Sequence, residues 1–288
     1  MPAWLHDALV ETWQMCRVVY PIIFGGLLLE RIFPAERNQP LRHIGFNLLY
    51  APVFFFITAL ALPPLQSITA PWVAASGGWV PIKLADSTWG LLAQGMAYIV
   101  VYDFFYYWFH RAQHTFKPLW AQHKLHHSDV SLNISTSGRH HWLEEPLRVF
   151  LMMLPMAMVF DVTAPNIAWV ATPLLLWPFF IHLNVRLPLG PLTPVLAGPQ
   201  LHRIHHSMEP RHHDRNYAAY VPVWDILFGT YCHPNPGEYP RTGLDTGEDL
   251  NTLPRALFSP FRDVWQMARG VQPSKLPDTA TGESRDDA

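Results

Sequence analysis

Thirteen of this chain's 16 histidines fall between His110 and His213, most of them in three short boxes. The boxes read H-R-A-Q-H (His110, His114), H-K-L-H-H (His123, His126, His127) and H-R-I-H-H (His202, His205, His206). Positions i, i+3 and i+4 share one face of an α-helix, so each box aims two or three imidazoles in one direction. Imidazole is a ligand for zinc, copper, iron and nickel. Eight convergent imidazoles are too many for one ion and suit two. The boxes contain no carboxylate, unlike the Glu and Glu-x-x-His pattern of soluble diiron bundles, and the H-E-x-x-H helix of zinc proteases is missing. Neutral ligands leave a metal pair net positive and open to an electron-rich oxygen species. An oxidant formed from O₂ on two irons can take hydrogen from an unactivated C–H bond, given electrons, a dry site and a held substrate.

The elements that must position these boxes are apolar. Half the residues are hydrophobic, 14% aromatic and only 15% charged, below the quarter usual in soluble domains. A spanning helix needs about 20 mostly apolar residues. Residues 44–65 contain no charge, and residues 89–109 contain only Asp103. Residues 15–29 form a shorter candidate interrupted by Arg17. Residues 149–181 are apolar apart from Asp161 and broken by prolines, with a turn at 161–166, so they read as a helical hairpin. About four apolar membrane segments result, the last a hairpin. Arg31, Arg37 and Arg42 follow the first segment, only Lys83 lies in 66–88, and five Lys or Arg lie between Phe109 and Val149. The positive-inside rule then places all three boxes on the cytoplasmic face and the N-terminus outside.

The net charge of −2 gives no case for nucleic acid, and Cys16 and Cys232 are too few for a disulfide framework. The first residues lack the positive region of a signal peptide. Residues 1–94 read as N-terminal membrane helices, 95–232 as a helical metal domain, and 233–288 as a polar segment whose last 15 or so residues look disordered. One amphipathic piece near 254–270 either lies on the membrane surface or packs on the metal domain.

The stretch D-F-F-Y-Y-W-F-H-R-A-Q-H-T-F-K-P-L-W-A-Q-H-K-L-H-H-S, followed by L-H-R-I-H-H-S and W-D-I-L-F-G-T-Y, resembles the fatty acid hydroxylase/sterol desaturase superfamily of membrane diiron enzymes. The resemblance covers about residues 95–232. It implies an all-α membrane protein whose cytoplasmic helical domain holds two non-haem iron ions and uses O₂ as co-substrate. Carried over residue by residue, it makes His110, His114, His123, His126, His127, His202, His205 and His206 iron ligands, joined by His182 in I-H-L-N. Arg139, His141 and Glu144 resemble an R-x-H-x-x-E pattern of the family. Asn216-Tyr217-Ala218 departs from the family's N-Y-G and puts a local turn in doubt.

Asp103 stands seven residues before His110, two turns away on the same face. It could fix a ligand imidazole by accepting its hydrogen bond, or pair with Arg111. Glu144, Asn184, Asn216 and Asp225 are further supporting candidates, while roles for His140, His141, His212 and His213 stay open. The H-P-N-P-G at 233–237 lacks the second glycine of a cytochrome b5 haem motif, so electrons come from a separate reductase. The expected activity is hydroxylation of a membrane lipid. Desaturation begins with the same hydrogen abstraction and is not separable by these residues. A haem electron carrier and a non-catalytic metal-binding or transport protein are the competing classes. Haem takes one or two axial ligands, and a transporter's ligands lie near the bilayer midplane. A bacterial inner membrane is the expected location.

Overall fold

The computed structural model describes residues 1–76, 80–82, 87–162 and 164–271. It is helical apart from two three-residue strands. Three long helices lead: α1 (Ala3–Ile32), α2 (Leu41–Ser76) and α3 (Thr88–Thr115). The Ser87 side chain caps α3 by accepting from the Gly90 N–H at 3.1 Å. At Phe116 the chain turns directly into α4 (Lys117–His127), with Pro118 in its first turn, where a missing N–H costs nothing. Short α5 (Glu144–Arg148) runs through one π turn (Val149–Met153) into α6 (Leu154–Val159), and α7 covers Ala164–Ile181. The remaining helices are α8 (Pro199–His205), α9 (Val223–Leu227) and α10 (Leu253–Ala268). Strand β1 (Val80–Ile82) pairs in parallel with β2 (Phe160–Val162). The expected hairpin over 149–181 is therefore a short helix and an 18-residue helix separated by a strand. Thr163, within the expected turn, and the C-terminal tail expected to be disordered lie outside the described residues.

Two interiors coexist. One is apolar: Tyr98, Met156, Phe160 and Val170 pack between α3, α6 and α7, and Val19, Ile23, Ile134 and Phe179 join α1 to α7. Gly26 lets α1 approach closely, since a Cβ there would lie 2.1 Å from Ile134 Cδ1. The other is polar and buried. Glu30, at the end of α1, accepts the Ile134 and Asn184 N–H groups at 2.8 and 2.9 Å. Arg139 is fully buried and donates to Leu125 O, Asn47, Asn251 and Ser128, closing the carbonyl end of α4.

Of the four expected membrane segments, only α2 is both long and apolar enough to cross a bilayer among the described residues, by length and composition. Helices α1 and α3 have the length, but charged and polar residues dilute them: Glu11, Arg17 and Glu30 in one, Asp103, Arg111 and the first histidine box in the other. The buried residues of α2 cluster at its start (His43, Phe46, Asn47, Tyr50, Ala51, Phe54), against α4 and α10.

Candidate metal centre

The histidines named from the boxes, with His182, gather into two groups. His110, His114, His123, His127 and His205 form the first, and His126, His182, His202 and His206 the second. All nine are buried, and within each group one ligand nitrogen per residue lies within 4.8 Å of every other. Helical geometry explains the partition. Residues i, i+3 and i+4 share one face, but i+4 is offset from i by about 40° one way and i+3 by about 60° the other, so i+3 and i+4 diverge by about 100°. On α4 the pair His123/His127 enters the first group and His126 the second. On α8 and its C-cap the pair His202/His206 enters the second group and His205 the first. The two H-x-x-H-H boxes thus make opposite contributions to two neighbouring centres.

Hydrogen bonds set which nitrogen points inward. His110, His182 and His205 direct Nδ1 at the backbone carbonyls of Tyr217, Pro178 and Arg215, at 2.7, 2.5 and 2.8 Å. A proton donated there leaves Nε2 as a lone-pair donor to a metal. Nε2 of His114, His127 and His205 is buried without a hydrogen-bond partner. The other inward nitrogens face one another: His110–His123 at 3.0 Å, His182–His126 at 3.2 Å, and His202 at 3.1 Å from both His182 and His206. Two nitrogens each about 2.1 Å from one ion, at octahedral to tetrahedral angles, stand about 3.0–3.4 Å apart. Orphaned and mutually facing lone pairs at this spacing fit a cation in each group. Burial holds the imidazoles of His126, His127, His202, His205 and His206 well below their ordinary range, and neighbouring histidines add to it. Burial also lowers His182 to about 3, and His123 to about 4 despite the opposing pull of Glu144. They are neutral at pH 7, the form a metal requires.

Carboxylates and a strap support these rings. Glu144, buried on α5, has Oε2 at 3.1 Å from His140 Nδ1 and 3.6 Å from His123 Nδ1, while Oε1 accepts from Arg148 at 2.8 Å. Burial alone would raise its carboxyl, but His140, His123 and Arg148 hold it well below the usual carboxylate range. Asp103 makes neither of its expected contacts. It touches no imidazole, and Arg111 donates instead to Tyr107 Oη at 2.9 Å. Asp103 accepts the N–H groups of Ala219, Tyr220 and Val221 at 2.9, 3.1 and 2.7 Å. Asp225 accepts those of Tyr217 and Ala218 at 2.8 and 2.9 Å. Together they pin the strap whose Tyr217 carbonyl orients His110. Asn216 takes the strap's left-handed turn at φ 58° and pairs with Cys232 through both its amide atoms. Ala218 is not among the positive-φ residues, so the alanine in place of the family's glycine is unstrained.

Asn184 turns from the histidines and clamps the 35–36 loop, accepting the Glu36 N–H at 2.9 Å and donating to the Glu36 carbonyl at 2.7 Å. His141 bonds Leu257 O at 3.1 Å, tying α5 to α10. His140 stacks on His126 with ring centroids 4.3 Å apart. His212 bonds Ser207 at 2.9 Å and stands beside Glu209 and Glu238, both already tied by Arg211. Asp214, 3.6 Å from His114 Nδ1, has no motif in the sequence. Its one sequence cue is that Asp tolerates the left-handed backbone it adopts at φ 58°.

Among the described residues, two openings reach the histidine groups. A cavity of about 470 Å³ lies between α1, α2, α3 and α7, walled by Met15, Val19, Phe54, Phe55, Leu62, Tyr106, Leu174 and Phe179. His126, His140 and His182 also line it, and Thr58 Oγ1 on its wall has no hydrogen-bond partner. A small polar opening of about 30 Å³ is lined by His114, His127, His205, His213, Asp214 and Asp245, with Trp120 at its side.

Residues 95–230 match the fatty acid hydroxylase family, and through this region the chain belongs to that family. Among curated relatives it is 34% identical over 213 residues to the alkylglycerol monooxygenase of Xenopus tropicalis, covering 72% of this chain and 45% of that protein. The Danio rerio alkylglycerol monooxygenase is 36% identical over 220 residues (74% of this chain, 46% of the relative). The ornithine lipid hydroxylase of Rhizobium tropici is 30% identical over 173 residues (60% and 52%). The chain thus spans about half the length of the curated relatives it matches. No solved structure matches it.

Proposed function

We propose that the protein is an O₂-dependent diiron lipid hydroxylase. The two histidine groups would hold iron, which would supply the O₂-dependent redox chemistry for oxidising a C–H bond. The single observation that carries the reading is the partition of nine buried imidazoles into two groups of inward nitrogens, one of them facing an apolar cavity. That cavity suits an alkyl chain with a polar end: most of its wall is aliphatic and aromatic, Glu11, Glu145 and Arg148 also line it, and His126 and His182 stand at its side. Tyr217, Pro178 and Arg215 hold three rings in one tautomer through their carbonyls. The relatives support oxygen insertion over desaturation, since alkylglycerol monooxygenase and ornithine lipid hydroxylase both oxygenate lipids by name. No carboxylate belongs to either group, so iron here rests on imidazole alone.

In this reading residues 1–94 anchor a catalytic region at 95–232, followed by the polar 233–288 segment. The chain crosses a bacterial inner membrane several times with the metal centre on the arginine-rich, cytoplasmic side, and a separate reductase delivers electrons. The test is lipid mass spectrometry of cells with and without the protein, grown under ¹⁸O₂. One labelled oxygen gained by a lipid is the expected result and names the substrate class. Loss of two hydrogens without label makes the enzyme a desaturase. An unchanged lipidome with a reductase supplied leaves a non-catalytic metal-binding protein.

A further inference from the structure

Helix α10 packs on α2 and α4, one of the two expectations for its segment. Its inner face, Ala256, Ser259, Pro260 and Asp263, is buried. Ala256 and Leu257 join Phe46, Tyr50 and Phe54 of α2 and Leu125 of α4 in one cluster. Asp263 and Glu248 hold the buried Lys124 of α4. The opposite face has no such cover. Phe258, Phe261 and Trp265, spaced i, i+3 and i+7, are 63%, 47% and 55% exposed, with Leu253 and Val264 beside them.

Charge borders this stripe on one side. Arg255, Arg262 and Arg269 recur every seven residues and so form one row along the helix. Arg262 is ion-paired with Glu248 and with Asp263, the only acidic residue of α10, so Arg255 and Arg269 carry the row's charge toward a lipid surface. An apolar stripe with aromatic residues and a flanking cationic row is the make-up of a helix lying in a membrane interface, where arginine reaches the phosphates. Location agrees. At ~1.5 Å per residue, α2 is about 54 Å long, far more than the ~30 Å hydrocarbon layer. Its first turns are the part embedded in the protein and packed on α10. Asn251, just before α10, also bonds His43 near the start of α2, at 3.1 Å. A spanning α2 therefore leaves α10 at the level of its emerging end, on the side of Arg42, which lies near Asp249 just before α10.

We infer that α10 is an interfacial anchor whose Phe258/Phe261/Trp265 face lies in an anionic lipid surface. The inference rests on the membrane residence in the proposed function and not on its metal chemistry. The full-length protein, with Cys16→Ala and Cys232→Ser, is given a single cysteine as Phe261→Cys or, as control, Thr246→Cys in an exposed loop. Each is labelled with an environment-sensitive fluorophore and reconstituted in phosphatidylcholine/phosphatidylglycerol vesicles. Lipids spin-labelled near the headgroup should quench the probe at 261 several-fold more than the probe at 246. Adding Arg255→Gln and Arg269→Gln should reduce that quenching, and no reduction overturns the anionic surface as partner. A probe at 261 that aqueous iodide quenches freely overturns the inference. So does one shielded from iodide yet untouched by the lipid quencher, since another protein surface then covers the face. These readouts involve neither metal nor reaction, so their failure leaves the hydroxylase reading standing.

Discussion

At the scale of single residues, the division of ligands makes the two histidine groups separable by mutation. His126→Ala removes a nitrogen from the group of four and His205→Ala one from the group of five. Each should lower bound iron from two ions per chain toward one and abolish hydroxylation, while the protein still inserts; elemental analysis of the purified variants reads the stoichiometry. Glu144→Gln keeps the shape but weakens the acceptor beside His123. It should lower metal affinity roughly 10–100-fold, the usual effect of losing a ligand's carboxylate partner, as measured by competition with a chelator. The eight box histidines were legible because helical spacing converges a box, and His182 only through the family resemblance. Their sorting into five and four was not, because it depends on how α4 and α8 cross. Glu144 was legible only through its likeness to the family's R-x-H-x-x-E pattern. Asp214 was not, since a lone Asp in a polar loop carries no pattern.

The same division between near and far holds for elements. Asp103 is conspicuous in an apolar run, yet its spacing from His110 describes only its own helix. Its actual partners are the N–H groups of residues 219–221, more than 110 residues away in the chain. The carboxylate acts on His110 through the strap, one carbonyl removed. Asp103→Asn replaces one acceptor oxygen by an N–H₂ group facing backbone donors. That should destabilise the protein by about 1.5–3 kcal/mol, on the scale of buried hydrogen bonds to a charged group, and loosen metal binding. Denaturation in detergent checks the first and iron content the second; unchanged values for both would show that the strap holds without it. The division of 149–181 near residue 161 was legible from its turn signal, whereas Pro173 and Pro178, also read as breaks, lie inside α7. Strand β2 within it was not, because its partner β1 lies about 80 residues earlier.

For the whole molecule, buried neutral imidazoles couple stability to pH. In the unfolded chain histidine titrates near 6.5, while in the folded protein burial keeps His123 unprotonated to about 4 and His182 to about 3. Between those values and 6.5 the unfolded state binds more protons, so stability rises with pH through this window. The metal-free protein should be most stable above pH 6.5 and lose stability steadily as pH falls to 4. A thermal midpoint that does not change across that range would show the rings to be protonated in the fold. The membrane layout was less legible than the metal centre. Hydropathy marks apolar runs, but it does not separate a helix facing lipid from one, such as α3, that also builds a polar interior.

The two openings described above touch different rings. The large cavity meets His126 and His182, whereas the small opening meets His114, His127 and His205. In the proposed reading the metal site thus has an oily door and a watery one, each lined by different histidines. An aliphatic competitor and a small water-soluble anion should then inhibit independently, giving intersecting rather than parallel lines in double-inhibition kinetics. Mutual exclusion would mean that the doors share a vestibule.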